Sequence, residues 1–257
     1  MKFTIAISLA GLILFSSCKK DTVMSSSGRV TLSLTNSVAG QSFSLNKEYT
    51  IGGKTYNFTA FRYWVSNVVL TSTGGQQFAV PHAYYLVEQT NSQSVQGGSF
   101  VYPATTRTSI ELQGVPLGNY KSIAFSIGVD KTHNDNLSLQ DGELNQLNNM
   151  TNVTWMWHTS YIFSNLEGKV SDGSSNKLLK VQTGLNDNFI SMSYDLGSSI
   201  GVASNGNASI SFNVDVAKVI DGVDTWGTPE VSAGTPAVMQ AVALNYKTKV
   251  FSFQSAK

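Results

Sequence analysis

The sequence predicts an all-β chain folded as a single immunoglobulin-like antiparallel β-sandwich with long loops, and three observations carry that prediction. Short β-branched and aromatic runs recur between Gly, Pro and Asn turn signals along residues 29–257. Helix signals are scarce, because 22 glycines and many Ser, Thr and Asn interrupt the runs of good helix formers. No repeat with a period of roughly 20–50 residues and no shift in composition divides the chain, so one sandwich is the economical reading.

The elements justify themselves in order. Residues 1–17 read as a lipoprotein signal peptide: Lys2 supplies the positive start, Phe3 to Phe15 the apolar run, and Ser16-Ser17 the small residues before Cys18. The apolar run is too short for a comfortable membrane span. Cleavage before Cys18 and acylation of its sulfur would leave a lipid anchor and no free thiol, which excludes a disulfide framework and a thiolate metal site. Cys18-Lys19-Lys20-Asp21 is similar to the export tags of surface-displayed outer-membrane lipoproteins. The expected location is therefore the cell envelope, as an outer-membrane lipoprotein that is periplasmic or surface-exposed. Residues 18–28, Ser-rich and without apolar periodicity, read as a flexible tether.

From Arg29 the strands follow. Val30, Leu32 and Leu34 alternate onto one face. Gly52-Gly53 sits between Tyr49–Ile51 and Lys54–Phe58 as a two-residue hairpin turn. Strands are expected over 61–71, 77–80, 83–87, 108–112 and 121–127. Residues 128–147, GVDKTHNDNLSLQDGELNQL, carry no strand pattern, and a loop of that length is uncommon unless it has a task. Further strands are expected over 153–166, 178–182, 189–194, 208–216, 241–245 and 249–253, with 221–237 irregular.

Charge excludes one class of function. Loss of residues 1–17 removes Lys2, so the formal charge of +1 falls to about zero, and only 13% of residues are charged. A nucleic-acid partner, whose binding rests on phosphate neutralisation, is not expected. Enzyme signatures are missing as well: there is no G-x-S-x-G elbow, P-loop or strand-to-helix G-x-G-x-x-G. The expectation is a non-enzymatic protein.

Histidine is scarce, with only His82, His133 and His158, and none is spaced as a local metal motif. The stretch TWMWHTSY, residues 154–161, concentrates two tryptophans with His158. On a regular strand, Trp155, Trp157, Tyr161 and Phe163 share one face, while Met156 and His158 share the other. Imidazole beside thioether is a donor pair that suits Cu(I). An aromatic stripe also suits a core strand, with methionine as gap filler.

Several short signatures in register resemble one family. Phe61-Arg-Tyr-Trp-Val-Ser-Asn67, Tyr84-Tyr-Leu-Val-Glu88, Val115-Pro-Leu-Gly-Asn-Tyr120 and Phe125-Ser-Ile-Gly-Val-Asp130 come first. Asp141-Gly-Glu-Leu144, Trp155-Met-Trp157, Tyr161-Ile-Phe163 and Leu166-Glu-Gly168 follow. Together they resemble the MbnP-like family, named for the methanobactin-associated periplasmic protein. The resemblance implies a β-sandwich tied to copper handling, with copper held by histidines beside a tryptophan oxidised to kynurenine by a partner di-haem peroxidase-like enzyme. It places Trp155 and Trp157 at the family's W-x-W, either of them the oxidised residue. Metal ligands would come from His158, His133, His82 and Met156. The chain departs from the pattern at Gln182, where the family often has histidine, and at His158-Thr159-Ser160 after W-x-W. The alternative reading is a non-metal surface adhesion or interaction module of the same fold, contacting its partner through the Asn/Asp-rich loop at 130–149.

Overall fold

Alternation builds the first strand as expected: Val30, Leu32 and Leu34 are fully buried, while Thr31 and Ser33 between them are partly exposed. The structure, a computed structural model, describes residues 27–152 and 160–257. Its strands begin with β1 (Ser27–Val38), β2 (Gln41–Ser42), β3 (Glu48–Ile51), β4 (Lys54–Ser72), β5 (Gln77–Ala79) and β6 (Tyr84–Thr90). There follow β7 (Gln93–Val95), β8 (Phe100–Tyr102), β9 (Thr105–Arg107), β10 (Ser109–Pro116), β11 (Gly118–Ile127) and β12 (Thr151–Asn152). The last are β13 (Ser160–Ser171), β14 (Asn176–Gly184), β15 (Ile190–Val202), β16 (Ala208–Asp215), β17 (Glu230–Val231) and β18 (Phe251–Ala256).

Two sheets form the sandwich. The smaller runs β10-β1-β16-β18, with β2 on β1; the larger runs β15-β11-β4-β13-β14-β17. The 19-residue β4 is the spine of the larger sheet and also pairs with β3, β5 and β6. Aromatic rings join the layers: Phe125 and Tyr194 of the large sheet meet Phe212 of the small one at centroid distances of 5.6 and 4.7 Å. Tyr63 meets Phe251 at 5.9 Å. Most ladders are antiparallel, as expected, but β1–β16 and β14–β17 are parallel. Strands joined by hairpins pair antiparallel, whereas β16 reaches β1 through a long crossover, after β2 to β15 have been laid down.

The Gly52-Gly53 hairpin is present, with Ile51 opposite Lys54 and φ values of +57° and +77° at the two glycines. Farther along β4 the alternation slips, because Phe58 and Phe61 both face the core and the register against β13 shifts between Glu167 and Gly168. A bulge of this kind bends a strand and re-aims its side chains. It explains the glycine of Leu166-Glu-Gly168, where a Cβ would stand 2.1 Å from the Asn57 carbonyl oxygen.

One expected strand is corrected. Residues 241–245 belong to a helix, Pro236–Asn245, followed by a π-type turn at Tyr246–Val250 and then β18. Pro236 opens the helix, and Ala, Met, Gln and Leu sustain it. Met239, Val242, Ala243 and Tyr246, at helical spacing, are the buried side. The strand expected over 153–166 is described from Ser160 onward, as β13, and continues to Ser171.

The outer face of the larger sheet positions the site. Arg62, Trp64 and Ser66 of β4 are fully buried, and residues 128–150 are tied to this stretch of the strand. Arg62 Nη2 donates to the Asn148 carbonyl at 2.7 Å, and Ser66 Oγ to the Gly128 carbonyl at 2.7 Å. Leu137, Leu144 and Met150 are the buried anchors of the loop.

Candidate functional site

Asp130 ends the G-V-D run and caps a single helical turn, Lys131–Asn134. Its Oδ1 accepts from the backbone N–H of Thr132 at 3.0 Å and of His133 at 3.4 Å, an N-cap geometry. The turn brings the His133 ring back over its own cap, with Nδ1 3.1 Å from Asp130 Oδ2. Tyr84, at the start of β6, completes the cluster. Its hydroxyl donates to Asp130 and lies 2.9 Å from His133 Nδ1, with ring centroids 4.8 Å apart.

The electrostatics follow. Burial would raise the Asp130 carboxyl, but the hydrogen bonds from Tyr84 and His133 outweigh it and hold the group below the ordinary carboxylate range. Burial and then the bond to Asp130 push the Tyr84 phenol well up.

A second pair stands at the other end of the loop. His82 precedes β6 with φ +53°, left-handed backbone that histidine adopts more readily than most residues. Its Nδ1 is 2.5 Å from Asp141 Oδ1. Asp141-Gly142-Glu143 is clamped onto the strand start: Glu143 N–H donates to the Tyr84 carbonyl at 3.0 Å, and the Glu143 carboxylate accepts from Leu86 N–H at 2.9 Å and from Arg107. Beside this clamp lies an open cleft of about 500 Å³ lined by His82, Gln140 and Asp141–Asn145.

Both described histidines therefore face an aspartate of one loop through Nδ1, on either side of Tyr84. Neither Nε2 has a partner among the described residues. This is the orientation in which a carboxylate presents an imidazole to a metal. The His133 ring is mostly enclosed, whereas His82 is 77% exposed. The fit is partial: among the described residues, no group of three or more His, Cys, Asp or Glu side chains is disposed to hold a metal ion. Trp155, Met156, Trp157, His158 and Cys18 lie outside the described residues. Close to the cluster, Trp64 and Tyr161 meet edge to face at 6.0 Å, with Trp64 Nε1 and Tyr161 Oη buried and without a partner among the described residues.

Gln182 takes no part in this cluster. It is buried on β14 and donates to Asn165 Oδ1 at 3.1 Å, and Asn165 pairs in register with Arg62. Glu167 also has a structural role, accepting from Asn165 Nδ2 at 3.1 Å. The sequence does not single out Tyr84, and it carries Asp130, Asp141 and Glu143 only as acids of the 130–149 loop. The signal was present in Asp130-Lys-Thr-His133, whose i, i+3 spacing sets a cap and the residue it faces on one side of a turn.

Comparison with known proteins gives two findings. The MbnP family model matches residues 27–239. A solved structure, MbnP from Methylosinus trichosporium, superposes with a TM-score of 0.50 at 14% identity, covering 76% of this chain and 78% of that one. At that identity the likeness concerns the fold. None of the curated proteins matches the chain. Among the described residues, no helix is long and apolar enough to cross a membrane.

Proposed function

This chain belongs to the MbnP family, and from that premise we propose that it is a lipid-anchored, extracytoplasmic, non-enzymatic protein that binds copper. His133 and His82 would supply imidazole ligands, with His158 and Met156 contributed by TWMWHTSY. Trp155 or Trp157, oxidised to kynurenine by a partner di-haem peroxidase-like enzyme, would stand nearby. The observation that supports this most is the pair of His–Asp contacts, which leaves each Nε2 free to bind. Bound copper would supply an electron-transfer or Lewis-acid centre; the residues of the chain orient the imidazoles and shield them.

Chain connectivity supports the participation of the tryptophan segment. Asn134, the neighbour of His133, accepts from the Tyr161 backbone N–H at 2.8 Å, and Ile162 N–H donates to the Met150 carbonyl at 2.8 Å. His158 lies three residues before Tyr161 in the sequence. Soft thioether and imidazole donors match copper better than hard divalent ions. Opening an indole ring replaces a donor-only group with an amine and a ketone.

The test is metal analysis and peptide mass spectrometry on protein purified from its own host. The expected result is bound copper that is lost in His133→Ala. A peptide spanning Trp155 and Trp157 should have gained one oxygen and lost one carbon at one tryptophan. Protein without copper and with an unmodified peptide would overturn the copper reading and favour the interaction module.

A further inference from the structure

The cluster around Asp130 contains more than a histidine and its carboxylate, and counting protons shows what the extra group does. Three polar side chains converge: Asp130, His133 and Tyr84, the last only 7% exposed. Tyr84 has one hydroxyl proton, and its bond to Asp130 uses it. The 2.9 Å contact between Tyr84 Oη and His133 Nδ1 then needs a proton from the imidazole. So do the contacts of 3.1 and 3.3 Å from Nδ1 to the two Asp130 oxygens. With Nδ1 unprotonated, a ring lone pair would face a carboxylate and a phenol oxygen with no proton between them. For the neutral ring the hydrogen-bond count thus assigns the Nδ1–H tautomer, which leaves Nε2 as the free acceptor.

We propose that Tyr84 is a positioning residue: by donating to Asp130 while accepting from His133, it locks His133 in the Nδ1–H tautomer and keeps Nε2 as the ring's free acceptor. The hydroxyl acts on the ring both through the carboxylate and by its own contact with Nδ1. Backbone donors alone would not accomplish this. The N–H groups of Thr132 and His133 reach Oδ1, whereas Tyr84 holds Oδ2, the oxygen nearer the ring. Without the hydroxyl, Oδ2 keeps only the imidazole as a partner, the ring loses one of its three acceptor oxygens, and the Nε2–H tautomer preferred by isolated histidine becomes more accessible. The importance of the tautomer for copper rests on the proposed function; the lock itself does not.

The experiment uses the full mature chain, labelled with ¹⁵N and free of metal, and reads the His133 ring nitrogens by long-range proton–nitrogen correlation. The expected wild-type pattern is a protonated Nδ1 and an unprotonated Nε2. Tyr84→Phe keeps the ring packing and should move the pattern toward the other tautomer, with the melting temperature recording that the fold survives. Asp130→Asn should move it at least as far and serves as the second variant if Tyr84→Phe fails to fold. In copper titrations Tyr84→Phe should weaken binding about 10-fold, as loss of an outer partner does, and alter the Cu(II) paramagnetic resonance spectrum. Unchanged ring nitrogens in the folded variants would overturn the proposal. Because the nitrogen readout needs no metal, a wild-type protein that shows the lock but takes up no copper would count against the copper reading alone.

Discussion

Gly142 holds a φ of +56°, and a Cβ added there would stand 2.4 Å from the His82 carbonyl oxygen and 3.0 Å from that of Tyr84. Conformation and space therefore both demand glycine where the loop is clamped to β6. Gly142→Ala should cost roughly 1–3 kcal/mol, measured by denaturant unfolding, and should separate Asp141 from His82, read as a change in the His82 ring resonances. A similar constraint holds at Gly128, where a Cβ would meet the Phe163 ring at 2.6 Å. At this scale the sequence was legible where a motif has a local cause. Gly52-Gly53 announces a turn, and the aspartate of G-V-D announces a strand end. It was opaque at Tyr84, which reads as one more strand aromatic. Its neighbours Asp130 and His133 come from a loop more than forty positions away, and only the fold brings them to its hydroxyl.

Between β4 and β6, Arg62 and Glu88 face each other in register and form a fully buried ion pair, with Nε to Oε2 at 2.8 Å. Tyr102 stacks beneath the guanidinium at 4.5 Å and donates to Glu88 Oε1 at 2.6 Å. Arg62→Met should destabilise the protein by about 3–5 kcal/mol, because it strands a buried carboxylate. The double variant Arg62→Met, Glu88→Leu should recover most of that loss. Equilibrium unfolding of the single and double variants measures both. Burial and then the bond to Glu88 push the Tyr102 phenol up to about 12. A raised value means that its stabilisation is complete below the unfolded phenol value of about 10 and is lost as pH rises through about 12. Tyr102→Phe should accordingly flatten the alkaline limb of a pH-unfolding curve. The two motifs F-R-Y-W-V-S-N and Y-Y-L-V-E were visible as strands, but the pairing of their charges was not, since register is a property of two strands together. The Pro236–Asn245 helix was misread for a related reason. Ala241 to Asn245 alone suits a strand, and only the buried spacing from Met239 to Tyr246 shows the helical period.

At the scale of the molecule, one apolar core runs through both sheets, from Leu32 and Phe212 on the smaller to Phe125 and Phe163 on the larger. Far-ultraviolet and near-ultraviolet circular dichroism should therefore report coincident unfolding, with Trp64 contributing to the second signal. Phe212→Ala, which removes a ring in contact with Phe125, Tyr194 and Phe253, should shift that transition by about 3–5 kcal/mol. The sandwich class was legible from alternation and turn spacing, whereas the order of strands was not. Central to that order is β1, held between β10 on one side and β16 on the other, so that Val30 pairs with both Leu112 and Ala208. A chain delivered N-terminus first brings Val30 into the compartment long before Ala208 arrives. Until then, one edge of β1 stays open to any passing strand, including another copy of itself. Vectorial delivery thus imposes a waiting time that refolding from denaturant, with every strand present at once, does not have.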